Sequence, residues 1–101
     1  MKYFLTSILI LLSFSISLTS YASAGCTHSK SLYESGKYER AFKIASTYAK
    51  YGDACAEYYL GLMYLGGKGV TADGQKGDKY LLSAAKKGYQ PAIDYIASIA
   101  P

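Results

Sequence analysis

The 101-residue chain has no tryptophan, one histidine, two cysteines and two prolines. The lone histidine, His28, rules out a multi-histidine metal site and argues against a histidine-based catalytic triad. Its place near the start of the mature chain suits a solvated side chain. Like charges never run beyond the pair Lys86-Lys87, so the basic stripe of a nucleic-acid binder is missing. No apolar–polar alternation of useful length marks a strand. No Ser-x-x-Lys stands on a convincing helix start, which leaves the lysines without a paired nucleophile. Gly66-Gly67-Lys68-Gly69 lacks the hydroxyl residue after lysine and the preceding strand of a phosphate loop, and reads as a turn. A chain of this length holds one domain at most.

What is present divides at residue 24. Lys2 opens a run of Phe, Leu and Ile, diluted by Ser and Thr, from Phe4 to Leu18. The run is shorter than the roughly 20 residues of a membrane-spanning helix. Ala22 and Ala24 then supply the small residues that a signal peptidase accepts, so residues 1–24 read as a cleaved leader and 25–101 as the mature domain. A second reading competes there. Ser23-Ala24-Gly25-Cys26 ends in the order of a lipoprotein box, in which Cys26 would be lipidated. Ser23 stands where a branched aliphatic residue is usual. Membrane association is expected only in that case. Of the charged residues only Lys2 falls in the leader, so the mature chain keeps a mild positive surplus from the overall +4, a mark of solubility.

The mature chain reads as helix throughout. A short helix is expected over 27–35, carrying Leu32 and Tyr33. From Tyr38 to Tyr51, the residues Tyr38, Ala41, Phe42, Ala45, Tyr48 and Ala49 recur at helical spacing, with Glu39, Arg40, Lys43 and Lys50 opposite. Gly52 ends that helix and Asp53 caps the next. The third helix, 54–65, is apolar nearly all round and carries one charge, Glu57, so it should lie in the middle of the domain. Gly61 within it costs about 1 kcal/mol relative to alanine, which a close helix–helix contact would justify. Asp73 caps a fourth helix running to Lys87, with Gly77, Tyr80, Leu81, Ala84 and Ala85 inward. Gly88 ends it, and Pro91 suits the first turn of a fifth, with Ala92, Tyr95, Ile96 and Ile99 on its buried face.

Displacing the chain by 36 residues lays Ala49, Lys50, Gly52 and Ala56 on Ala85, Lys86, Gly88 and Ala92, and Tyr59 on Tyr95. Such a period, built of paired helices, is the mark of tetratricopeptide-like solenoids. The stretch Ala56-Glu57-Tyr58-Tyr59-Leu60-Gly61-Leu62-Met63-Tyr64, then Gly67-Lys68-Gly69-Val70, Asp73, Lys76, Tyr80, Ala84-Ala85 and Gly88, resembles a Sel-one-like repeat over about 56–92. Gly77 departs from the family's usual alanine, and residues 27–55 fit a plainer tetratricopeptide unit. The resemblance implies an all-α superhelix of about two helical hairpins with the last helix as a lid.

In such solenoids the first helices of successive pairs stand side by side, which puts Cys26 and Cys55 at one end and favours a bridge between them in an oxidising compartment. Lipidation of Cys26 would instead leave Cys55 a buried thiol. Family members generally act as adaptors, so the implied role is an exported, periplasmic or secreted, non-enzymatic module that binds another protein, without cofactor. A regulator or an immunity-type inhibitor would be one form of it. The alternatives are a β-lactam-binding or hydrolysing cysteine-rich repeat protein and a binder of cell-wall glycan. Tyrosine is abundant, twelve in all. Tyr59, Tyr64, Tyr80 and Tyr95 occupy repeat positions that face neighbouring helices. Tyr33, Tyr51, Tyr58 and Tyr89, with Glu57 and Leu62 from the third helix, are the candidate partner-binding residues, since tyrosine is enriched in binding surfaces.

Overall fold

The computed structural model describes residues 26–101, and the expected leader, residues 1–24, lies outside the described residues. Five helices and no strand occur among the described residues: α1 (26–34), α2 (Tyr38–Lys50), α3 (Ala54–Gly66), α4 (Gly74–Lys86) and α5 (Gln90–Ile99). The domain is all-α, and each helix packs on its neighbours in the manner of a helical repeat.

The period of 36 is kept by the backbone itself. Helices α2 and α4 begin at Tyr38 and Gly74 and end at Lys50 and Lys86, while α3 and α5 begin at Ala54 and Gln90. The turns between them are copies. Gly52 N–H donates to Ala49 O and Asp53 N–H to Tyr48 O. One period later, Gly88 N–H donates to Ala85 O and Tyr89 N–H to Ala84 O. Both glycines sit at positive φ, 85° and 87°, where a Cβ would be strained.

Polar side chains set the helix starts. The Asp53 carboxylate accepts from Ala56 N–H and that of Asp73 from Lys76 N–H, each at 3.1 Å, so each satisfies an amide that has no intrahelical acceptor. Helix α3 buries Cys55, Ala56, Glu57, Tyr59, Leu60, Gly61 and Met63. It packs with Leu32 of α1 and with Ala41 and Ala45 of α2 in one core. Leu60 and Met63, nearly or wholly out of water, each contribute about 1.5–3 kcal/mol.

On its other side α3 meets α4 at two glycines. A Cβ on Gly61 would lie 2.7 Å from Leu81 Cγ, and one on Gly77 2.8 Å from Leu65 Cγ. Gly77 is therefore what the close crossing requires. The loop after α3 folds back over the start of α2. Asp73 N–H bonds to Tyr64 O at 2.9 Å, Lys68 Nζ stands 5.3 Å from the Tyr38 ring centre, and a Cβ on Gly69 would lie 2.5 Å from Tyr38 O. One expectation fails. Ile99, placed on the buried face of α5, is 61% exposed, because no helix of the described chain covers that side.

Candidate functional site

Helices α1, α3 and α5 line up along one side of the array. The Cys26–Cys55 disulfide fastens α1 to α3 at a Cα separation of 5.3 Å. Such a bond is compatible with an exported protein. Alongside it the tyrosines converge. Tyr33 of α1 packs on Tyr59 of α3 with ring centres 5.4 Å apart, and edge-on against Tyr38 at the same distance. Tyr58 meets Tyr59 edge-on at 5.1 Å and reaches Tyr89, the residue before α5, at 5.4 Å. The result is a continuous run of five rings from three helices and a turn. Offset and edge-on aromatic pairs of this kind add about 0.5–1.5 kcal/mol each beyond simple burial.

Burial raises the hydroxyls of this face above their ordinary value. Burial pushes the hydroxyl of Tyr59 up to about 12, reinforced by the potential phenolate of Tyr89 and the carboxylate of Glu34. Tyr33, Tyr58 and Tyr89 are raised for the same first reason, loss of water, and then by neighbouring charge: Tyr33 by Tyr38 and Tyr58, Tyr58 by Tyr95, and Tyr89 by Tyr58 and Asp53. Tyr95 of α5, half-buried and outside the ring contacts, adds to the raising of Tyr33 and Tyr58. At physiological pH the face therefore offers uncharged rings and hydroxyls that both donate and accept. Beside it opens a hollow of about 540 Å³, lined by Cys26, Lys30, Glu34, Ser35 and Tyr89 among others.

The candidate residues thus separate. Tyr33, Tyr58 and Tyr89 come together in the ring network. Leu62 lies one turn beyond Tyr58 on α3, half-buried against the core. Tyr51 projects from the turn after α2, 85% exposed and outside the ring network. Glu57 is a correction. It is 5% exposed, and Lys87 closes over it as an ion pair while also donating to Gly52 O at 3.1 Å. Its carboxylate is turned into the interior and is not exposed. Tyr59 is a core residue, 7% exposed, as its repeat position implied, and it joins the half-buried rings of Tyr33 and Tyr58 from beneath. Tyr38, which the sequence placed on the packed face of α2, is the ring of the run that was not among the candidates.

Among the described residues no three His, Cys, Asp or Glu side chains stand together as a metal site, and no helix is long and apolar enough to cross a membrane. His28 is exposed on α1. No protein-family model, curated protein or solved structure matches the chain.

Proposed function

We propose that the chain is an exported Sel-one-like repeat module whose work is to hold another protein against the tyrosine run that α1, α2, α3 and the turn before α5 bring together. The observation that carries this reading is the run of linked rings from Tyr38 through Tyr33, Tyr59 and Tyr58 to Tyr89. Rigid, uncharged aromatic surface with hydroxyl edges gives large contact area at small entropic cost, which is why tyrosine dominates binding hot spots. The paired helices repeating every 36 residues and the close glycine crossing of α3 and α4 support the family reading. The disulfide supports an oxidising destination, periplasmic or extracellular.

A photoreactive phenylalanine at Tyr58 or Tyr89 tests it in the intact organism. One discrete crosslinked protein is expected from those sites and none from Lys43, exposed on α2. Absence of any adduct from Tyr58, or an equal adduct from Lys43, would remove the face from consideration. The same rings favour a second reading, stacking on the sugars of cell-wall glycan. Cosedimentation with purified sacculi, lost on Tyr58→Ala, would move the proposal to that ligand.

A further inference from the structure

Three of the four large apolar side chains exposed among the described residues, Leu82, Ile93 and Ile99, lie on the last two helices. Between those helices runs an apolar cleft of about 200 Å³ whose one charged lining residue is Asp78. The repeat shows what such a seam accepts. One period earlier, α4 lies over the seam of α2 and α3: its backbone approaches at Gly61, and Tyr80 stacks on Tyr64, which touches Phe42. Ala97 stands in the place of Gly61, and Ile93 and Ile99 in the places of Glu57 and Met63. The earlier pair is 5% and 0% exposed, whereas Ile93 and Ile99 are 37% and 61% exposed. The open seam is the next step of the α3–α4 interface, so it has the shape to receive an antiparallel helix.

We infer that a second copy of the chain supplies that helix, its own α5 crossing the first near Ala97. Helix α5 suits the role, with a single charge, Asp94, and a small residue, Ala97, in its last turn. Each copy offers the same α4–α5 surface, so the pair is two-fold and closed instead of growing into a filament. The exposed charges of these two helices include both signs, Asp78 and Asp94 with Lys79 and Lys86, so a second copy meets no uniform field of like charge. Helix α5 is about 15 Å long, so the contact falls well short of the roughly 1,600 Å² of a standard interface. Association is accordingly weak and transient. This surface is separate from the tyrosine face, and either proposal stands without the other.

Sedimentation equilibrium of the oxidised chain, expressed with its own N-terminal segment, tests the inference. The weight-average mass should climb toward twice the monomer as concentration rises, and climb further in higher salt, because the chain is net positive. Leu82→Lys and Ile99→Lys, both at exposed positions, should each weaken association about tenfold or more with unchanged helical circular dichroism. Ile99→Ser, which adds no charge, should weaken it less and in the same direction. A chain that stays monomeric to about 1 mM, leaving the seam to a helix from a different protein, overturns the inference. So does a dimer that the lysine variants leave intact.

Discussion

Gly61 and Gly77 face each other across the α3–α4 crossing, so close that a methyl group on Gly61 would lie 3.0 Å from Gly77 O and one on Gly77 2.9 Å from Gly61 O. Two opposing effects act on an alanine here. Helix propensity favours it by about 1 kcal/mol, while forcing the backbones apart costs about 1–3 kcal/mol or more. The obstacles are the Leu81 and Leu65 side chains and, behind them, carbonyl oxygens that cannot rotate away, so the steric effect wins. Gly61→Ala and Gly77→Ala should each lower stability by about 1–3 kcal/mol in urea unfolding. Gly74→Ala, with nothing within 4 Å of the added methyl, should cause no loss. A neutral Gly77→Ala would show that the helices are further apart than described.

The disulfide is expected to act largely as a staple for α1, a helix described over only 26–34. Its cysteines are 29 residues apart, and closing such a loop contributes about 3–4 kcal/mol in the chain-entropy model. Cys26→Ser/Cys55→Ser should lower stability by that order and loosen Tyr33 against Tyr59. Intact mass before and after reduction reads the bond directly. A gain of two hydrogens is expected, and a lipid-sized increment on Cys26 would refute the bridge.

Much of this architecture is legible because it is local. Asp53 and Asp73 fall just before apolar runs and cap helices there, Gly52 and Gly88 close identical turns, and Gly61 marks a close crossing. Features that failed to show depend on partners distant in the chain. Glu57 looks like a solvent-facing charge until Lys87, 30 residues away, folds over it. Ile99 follows the apolar spacing of α5, yet periodicity cannot say whether a helix stands opposite. The ring network was half visible: each tyrosine could be seen, but the meeting of Tyr58 with Tyr89 requires α3 and α5 to be side by side.

Lys87 links α4 to the turn before α3 as well as to α3 itself, through Gly52 O and Glu57. Its side chain is 40% exposed, whereas that of Glu57 is only 7% exposed, and the second carboxylate oxygen of Glu57 lacks a protein partner. Lys87→Met should therefore destabilise mainly by stranding a buried carboxylate, about 1–3 kcal/mol. Adding Glu57→Leu should recover part of that loss, because a buried pair removed whole costs less than one halved. A double variant that simply sums its single effects would mean that the two residues do not interact.

The tyrosine face makes a prediction about alkaline stability. Tyr59 is raised from 10.0 to about 12, and Tyr33, Tyr58 and Tyr89 are raised in the same direction. A group that holds its proton more tightly when folded stabilises the fold fully below its unfolded value. That contribution is lost as pH rises through the folded value. Stability should thus be flat in these groups up to about pH 10 and fall between pH 10 and 12, by at most about 1.4 kcal/mol per pH unit for each tyrosine. Absorbance at the phenolate band should resolve a late-titrating set that vanishes in denaturant. Tyr59→Phe keeps the ring and removes the ionisation, so its alkaline unfolding midpoint should move upward. Titration of every tyrosine together near pH 10, or an unmoved midpoint in Tyr59→Phe, would mean that the hydroxyls are wet and that the face is not the sheltered surface on which the binding proposal depends.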